Sequence, residues 1–65
     1  MVNAKQTVRC ISVWVSNPHP VEIGGFYVLD LLSVWIDSDG DAYGVIYDLV
    51  GKQIGQMKLS HFRTV

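Results

Sequence analysis

The sequence has few of the features, such as disulfides and structural metal sites, that usually stabilise a short chain. Its 65 residues make one domain, residues 1–65, and we expect residues 1–6 to be a flexible tail. A chain of this length buries only about 60% of the surface that it exposes when unfolded. Cys10 is the single cysteine, so no internal disulfide forms, and Cys10, His19 and His61 lack the paired spacing of a four-ligand zinc site. We therefore expect no metal and no cofactor, with Cys10 as a small hydrophobic residue in a strand. Stability must then come from a dense apolar core or from oligomerisation.

Long apolar runs and a leader segment are also missing. No hydrophobic run reaches the ~18 residues that span a membrane, and the N-terminal residues MVNAKQT are polar. These features predict a protein without a membrane anchor or signal peptide. One free cysteine fits a reducing compartment, so we expect a cytoplasmic location, and Met1 suggests a complete small open reading frame.

Basic residues are absent from the middle of the chain. Residues 21–48 hold six carboxylates and no lysine or arginine, whereas the segments before and after hold two and three basic residues. Either the basic end strands neutralise an acidic hairpin, or the hairpin attracts a basic partner. Five basic residues and a net charge of −1 do not make the basic stripe that is typical of nucleic-acid-binding proteins.

The remaining residues alternate as β-strands do. Residues 7–15 are rich in β-branched side chains and predict a first strand, with Ile11, Val13 and Val15 on one face. The other face would carry Val8, Cys10, Ser12 and Trp14. The next segment, SNPHPVEIGG, contains two prolines and two glycines, which predicts a long, stiff loop over residues 16–25.

A long central hairpin follows, with a first strand over residues 26–36. Its turn, DSDG, has the first-position Asp and fourth-position Gly of a type I turn followed by a glycine bulge. This three-residue loop places Asp37 opposite Asp41 and Trp35 opposite Tyr43. It also predicts the pairs Ser33–Val45 and Leu31–Tyr47. A two-residue loop at Asp39-Gly40 would mix the residue types of the two faces, so we prefer the longer loop.

The preferred register separates two faces of the hairpin. The aliphatic face is expected in the core, where Leu32, Val34 and Ile46 would be buried with Ile11, Val13 and Met57. The other face is largely aromatic and carries Trp35, Tyr43, Leu31 and Tyr47. Either this aromatic face is exposed, or it packs under the loop over residues 16–25 as a second small core.

The C-terminal part adds a loop, LVGK, and a strand over residues 53–59. The letters SHF predict one helical turn capped by Ser60, and RTV would then close the sheet. Four or five antiparallel strands with a short 3-10 turn before the last one resemble an SH3-like small β-barrel over residues 7–65. The ALYDY-type motif of peptide-binding SH3 domains is absent, so the resemblance implies the fold and no Pro-rich ligand groove.

The aspartates of the hairpin tip predict a turn, not a calcium loop. Counted from Asp37, the sixth position of a calcium loop is Ala42 where Gly is needed, and the twelfth is Asp48 where Glu is needed. His19 and His61 are isolated in sequence, and VGKQIGQ lacks the spacing of a phosphate-binding loop. We therefore expect no enzyme.

The function expected from these features is protein interaction. We predict a small regulator, inhibitor or assembly factor, encoded by a phage or mobile element, whose protein partner has a basic surface. The partner-binding residues would be the aromatic and acidic residues of the hairpin, Trp35, Tyr43, Tyr47, Asp37, Asp39 and Asp41. The alternatives are self-association through the aromatic face and a small-barrel protein that binds single-stranded nucleic acid.

Overall fold

A computed structural model describes residues 4–13 and 21–65 of the chain. This part of the chain is all-β, as expected, and has no α-helix, but it contains six strands where four or five were predicted. The strands are β1 (Lys5–Cys10), β2 (Phe26–Asp30), β3 (Trp35–Ile36), β4 (Ala42–Tyr47), β5 (Gln53–Lys58) and β6 (Phe62–Thr64). β1 begins inside the range predicted as an N-terminal tail, and residues 1–3 of that range lie outside the described residues. The predicted strand positions of Trp14 and Val15 and the first half of the predicted loop, residues 16–20, also lie outside them.

All six strands pair antiparallel in one sheet, in the order β3-β4-β2-β1-β6, with β5 on the other side of β4. β2 and β3 share one edge of β4, because a short turn separates them. The sheet is open: among the described strands, β5 pairs only with β4, and β6 pairs only with β1. The antiparallel all-β prediction is confirmed, while closure into a barrel is not seen.

The prediction of one continuous strand over residues 26–36 is wrong. A 3-10 turn, Leu31–Ser33, interrupts it. The Asp30 carboxylate accepts a hydrogen bond from Leu32 N at 3.0 Å, and the Ser33 hydroxyl donates to Asp30 O at 2.6 Å. Such local side-chain bonds compete with a strand ladder. The predicted pair of Leu31 with Tyr47 is therefore absent, and Val28 lies opposite Tyr47 instead.

The core was only partly predicted. The fully or nearly buried side chains are Val8, Cys10, Val21, Leu29, Ile46 and Met57. The prediction is correct for Ile46 and Met57, and Val13 packs against this cluster. It is wrong for Leu32, which is 85% exposed, and for Val34 and Ile11, which are exposed as well. The 3-10 turn removes Leu32 and Val34 from the strand alternation. On β1 the buried face is that of Val8 and Cys10, opposite to the one expected.

Two hairpin turns share one geometry. At the tip, Asp37 N donates to Asp41 O at 2.9 Å and Gly40 N donates to Asp37 O at 3.1 Å, with Gly40 at φ +87°. The predicted three-residue loop is thus confirmed. Asp48 and Gly51 repeat it between β4 and β5, with corresponding distances of 3.0 and 3.1 Å and Gly51 at φ +94°. A D-x-x-G sequence therefore fixes both turns.

The end of the chain follows the expected order. A second 3-10 turn, Leu59–His61, leads directly into β6, which pairs with β1. Ser60 lies inside this turn and does not cap it as predicted; the N-cap is Lys58, which makes no side-chain capping bond. His61 O accepts hydrogen bonds from Ile11 N at 2.8 Å and Ser12 N at 3.4 Å, which ties the turn to the end of β1.

Candidate functional site

The register of three strands brings an aromatic pair to one face of the sheet. Trp35 lies opposite Tyr43, and Tyr43 lies opposite Lys58, so the three side chains point to the same side. The rings of Trp35 and Tyr43 stack with centroids 4.9 Å apart and an interplanar angle of 20°. Trp35 remains 46% exposed. This pair is an apolar platform that water reaches on one side.

The three carboxylates of the tip have different environments. One oxygen of Asp37 accepts hydrogen bonds from Asp39 N at 2.9 Å and Asp41 N at 3.0 Å. The bond from Asp41 N contributes most to a lowered pKa of Asp37, and the Tyr43 hydroxyl and Lys58 add to it. Asp41 forms an ion pair with Lys58 at 3.4 Å, and Asp39 is exposed. Asp37 therefore holds the turn, and Asp39 is the carboxylate that faces solvent most freely.

Tyr43 links the platform to the tip. Partial desolvation is the main cause of its raised pKa, and the neighbouring Asp37 carboxylate raises it further by charge and by hydrogen bonding. The phenol therefore stays neutral and donates towards Asp37. Its ring position is fixed on one side by Trp35 and at its hydroxyl by the turn.

Tyr47, the sixth predicted binding residue, lies apart from the others. It is four residues from Tyr43 on β4, which at about 3.3 Å per residue places it about 13 Å away on the same face. Its ring carries the Lys5 ammonium at 5.1 Å from the centroid. The structure therefore brings together Trp35, Tyr43 and the three aspartates, and assigns Tyr47 to another part of the face.

A pocket of about 420 Å³ opens beside Tyr43, and its other lining residues are Gln56, Met57, Lys58 and His61. Met57 is almost fully buried and connects the pocket to the core. His61 is isolated in sequence, but in the fold it is half-buried and its Nδ1 lies 2.9 Å from Ser12 Oγ. Hydrophobic alternation gave no sign of this contact, because it joins residues 49 positions apart. His19 lies outside the described residues.

Basic residues gather on the same face of the sheet as the aromatic pair. Lys5, Arg9 and Lys58 occupy register positions that point to the side of Tyr43 and Tyr47, and Arg63 lies opposite Arg9. Arg9 lies 5.9 Å from the centroid of the Phe26 ring. The basic residues, which are segregated at the two ends of the sequence, therefore lie mostly on one face of the sheet, whereas several carboxylates lie in turns.

Within residues 4–13 and 21–65, no three His, Cys, Asp or Glu side chains come together in a way that could hold a metal ion. In the same part of the chain, no helix has the length and apolar character needed to cross a membrane. No protein-family model matches the sequence, and neither a curated protein nor a solved structure shows significant similarity to it.

Proposed function

We propose that the chain is a protein-interaction module whose partner docks on the hairpin surface, defined as Trp35, Tyr43 and the adjoining pocket. The observation that carries this proposal is the half-exposed Trp35 stacked on Tyr43, a residue that lines a pocket reaching Met57. Trp and Tyr next to a pocket are the side chains that most often dominate binding energy at interfaces. A partner would place an apolar side chain in the pocket and cover Trp35.

The charges around this surface define the partner further. Asp39 is exposed. The side chains of Lys58 and Asp41 are each about 40% exposed, so their ion pair adds only about 0–1 kcal/mol to stability and is easily replaced by a pair with another charged group. A basic group of the partner could therefore pair with Asp39 and Asp41 at little cost. We propose a partner with a basic patch next to a protruding apolar residue, and faster association at low salt.

We also propose the class of protein to which this chain belongs, an SH3-like small barrel. The order of the strands, with β1 between β2 and β6 and a 3-10 turn before β6, supports the resemblance to an SH3-like small barrel. Within that class we propose a cytoplasmic, non-enzymatic regulator, inhibitor or assembly factor, encoded by a phage or mobile element. Self-association through the same hairpin surface is the competing use of an exposed aromatic pair.

Paired capture experiments test the hairpin surface. Wild-type protein, Trp35→Ala and Val50→Ala are each used to capture partners from a lysate of the source cells. Val50 is the matched control, because it is an apolar side chain that is 89% exposed in the other hairpin turn. A partner of the hairpin surface binds wild type and Val50→Ala, and loses about 30-fold or more in affinity for Trp35→Ala when titrated in purified form. Equal affinity for all three proteins would contradict the proposal.

Fluorescence tests the state of the platform before any partner is known. In a Trp14→Phe background, Trp35 should emit close to the wavelength of solvated indole and be open to a soluble quencher, because 46% of its surface is exposed. Binding of the captured partner should then shift the emission to the blue. A monomer in which Trp35 is already blue-shifted and protected from the quencher would remove the hairpin surface as the docking site.

A second candidate function is binding of single-stranded nucleic acid, and the sheet face favours it. Lys5 lies over Tyr47 and Arg9 lies near Phe26, so cations and rings alternate on one surface, as in stacking platforms for bases. A filter-binding titration with a labelled oligonucleotide separates the two functions. Phosphate contacts require affinity to fall steeply as salt rises. No retention at low salt would exclude this candidate.

A further inference from the structure

A second pocket lies where the ends of β1 and β6 meet the turn before β2. It has a volume of about 220 Å³ and shares no residue with the hairpin surface. Its lining residues are Arg9, Cys10, Ile11, Ile23, Gly24 and Arg63. The pocket thus combines two guanidinium groups with apolar walls, a composition that neither the core nor the proposed function explains.

The two arginines face each other across a strand pair. Arg9 on β1 and Arg63 on β6 are direct register partners, and both are exposed. Residues in this relation have Cβ atoms about 4.5–5.5 Å apart, and like charges there are destabilising. The Lys58–Asp41 ion pair involves neither arginine, so it does not offset this repulsion. A bound anion would offset it.

Arg9 is also held in position before any ligand arrives. Its guanidinium lies 5.9 Å from the centroid of the Phe26 ring. A Cβ added at Gly24, which has φ +88°, would lie 3.8 Å from a terminal nitrogen of Arg9, so the turn passes close to the guanidinium. Gly24 N donates to Cys10 O at 2.7 Å, which anchors that turn to β1. A positioned guanidinium loses less side-chain freedom on binding than a free one.

We propose that Arg9 and Arg63 form a binding site for a phosphate group. The planar fork of each guanidinium matches phosphate oxygens with paired, charge-assisted hydrogen bonds, and two forks together supply the positive charge that a dianion needs. Ile11 and Ile23 line the pocket beside these guanidinium groups and are themselves partly exposed. The phosphate is either a free small molecule or part of a nucleotide.

Thermal melting in different anions tests this site. The melting temperature of the wild type should rise with sodium phosphate, and saturate, relative to sodium chloride at equal ionic strength. Arg63→Gln removes one fork from an exposed position and should weaken the apparent phosphate affinity about tenfold or more. Lys52→Gln, which removes the same charge from an exposed turn, should keep the wild-type response.

Two further compounds distinguish the source of the phosphate. A response to both inorganic phosphate and thymidine 5′-monophosphate, with none to thymidine, assigns the site to the phosphate group itself. A response to the nucleotide alone, again lost in Arg63→Gln, assigns it to phosphate carried by a nucleotide. The proposal is overturned if neither compound differs from chloride, or if Arg63→Gln and wild type respond equally. Each result can be obtained whether or not the hairpin surface binds a protein.

Discussion

Gly44 on β4 lies where a larger residue has no room, so Gly44→Ala should lower the stability of the protein. A Cβ at this position would lie 2.6 Å from Leu29 Cδ1, and 3.4 Å from atoms of Leu59 and Val34. Carbon atoms in contact prefer separations of about 3.5–4.0 Å. Leu29 is only 6% exposed and therefore cannot move into solvent. The substitution requires the core to shift around the new methyl group.

The size of the effect follows from two opposing terms. Overpacking of a core costs about 1–3 kcal/mol, and replacing Gly by Ala recovers about 0.4–1 kcal/mol by restricting the unfolded chain. The net loss is about 1–2 kcal/mol, a large share of the roughly 3–10 kcal/mol expected for 65 residues. In a domain this small, each kcal/mol lowers the melting temperature by about 4–8 °C.

Calorimetry or circular dichroism of four proteins measures this loss and its cause. Leu29→Val shortens the side chain that clashes, so the double variant with Gly44→Ala should be more stable than the sum of the two single losses by about 0.5 kcal/mol or more. A Gly44→Ala protein that melts at or above the wild-type temperature would refute the tight contact. Strict additivity with Leu29→Val would show that Leu29 is not the neighbour that matters.

Three other predictions concern the core and the hairpin tip. Ile46→Ala should lower the free energy of unfolding, measured in urea, by about 2–5 kcal/mol, because Ile46 is fully buried. Leu32→Ala should change it very little, because Leu32 is 85% exposed, and equal losses for the two variants would contradict this core. The pKa of Asp37 is lowered on folding, so its stabilising effect is complete at neutral pH and declines as pH falls from the ordinary value of 3.8 to the lower pKa of the folded state. Asp37→Asn should therefore flatten the loss of stability between about pH 6 and 2. Parallel pH profiles of the variant and the wild type would argue against this role. Gly40→Val should destabilise by about 1 kcal/mol or more because of its positive φ, and added calcium should leave the wild-type melting temperature unchanged.

The sequence was most informative where structure depends on neighbouring residues. The loop between Asp37 and Asp41 was predictable because one Asp and one Gly satisfy its hydrogen bonds locally. The pairing of Trp35 with Tyr43 followed directly from that loop. The same D-x-x-G pattern recurs at Asp48, where the carboxylate accepts from Val50 N and Lys52 N, and it could have been identified in the same way.

The predictions are wrong where pairing with strands distant in sequence decides which of two apolar faces is buried. On β1 both faces carry hydrophobic residues, and contacts with β2 and β6 select Val8 and Cys10 for the core. The break after Asp30 had a local signal, an Asp followed three residues later by Ser33, but the hydrophobic run of residues 26–36 concealed it. The same break separates Tyr47 from the rest of the predicted site, because at Tyr47 the partner of β4 is β2 and not β3.

The roles of the charged residues explain why net charge is a poor guide to the partner of this protein. Asp30, Asp37 and Asp48 each accept hydrogen bonds from backbone N–H groups within four residues, so these carboxylates stabilise turns. Most of the basic side chains lie instead on one sheet face, next to aromatic rings or, at Arg9, opposite a second arginine. A net charge of −1 therefore describes a molecule with acidic turns and most of its basic side chains on one sheet face, where Asp30 lies opposite Lys5 and Asp41 pairs with Lys58. A ligand that approaches the face meets positive charge, whereas one that approaches the hairpin tip meets Asp39, so the position of binding decides which charge the ligand must carry.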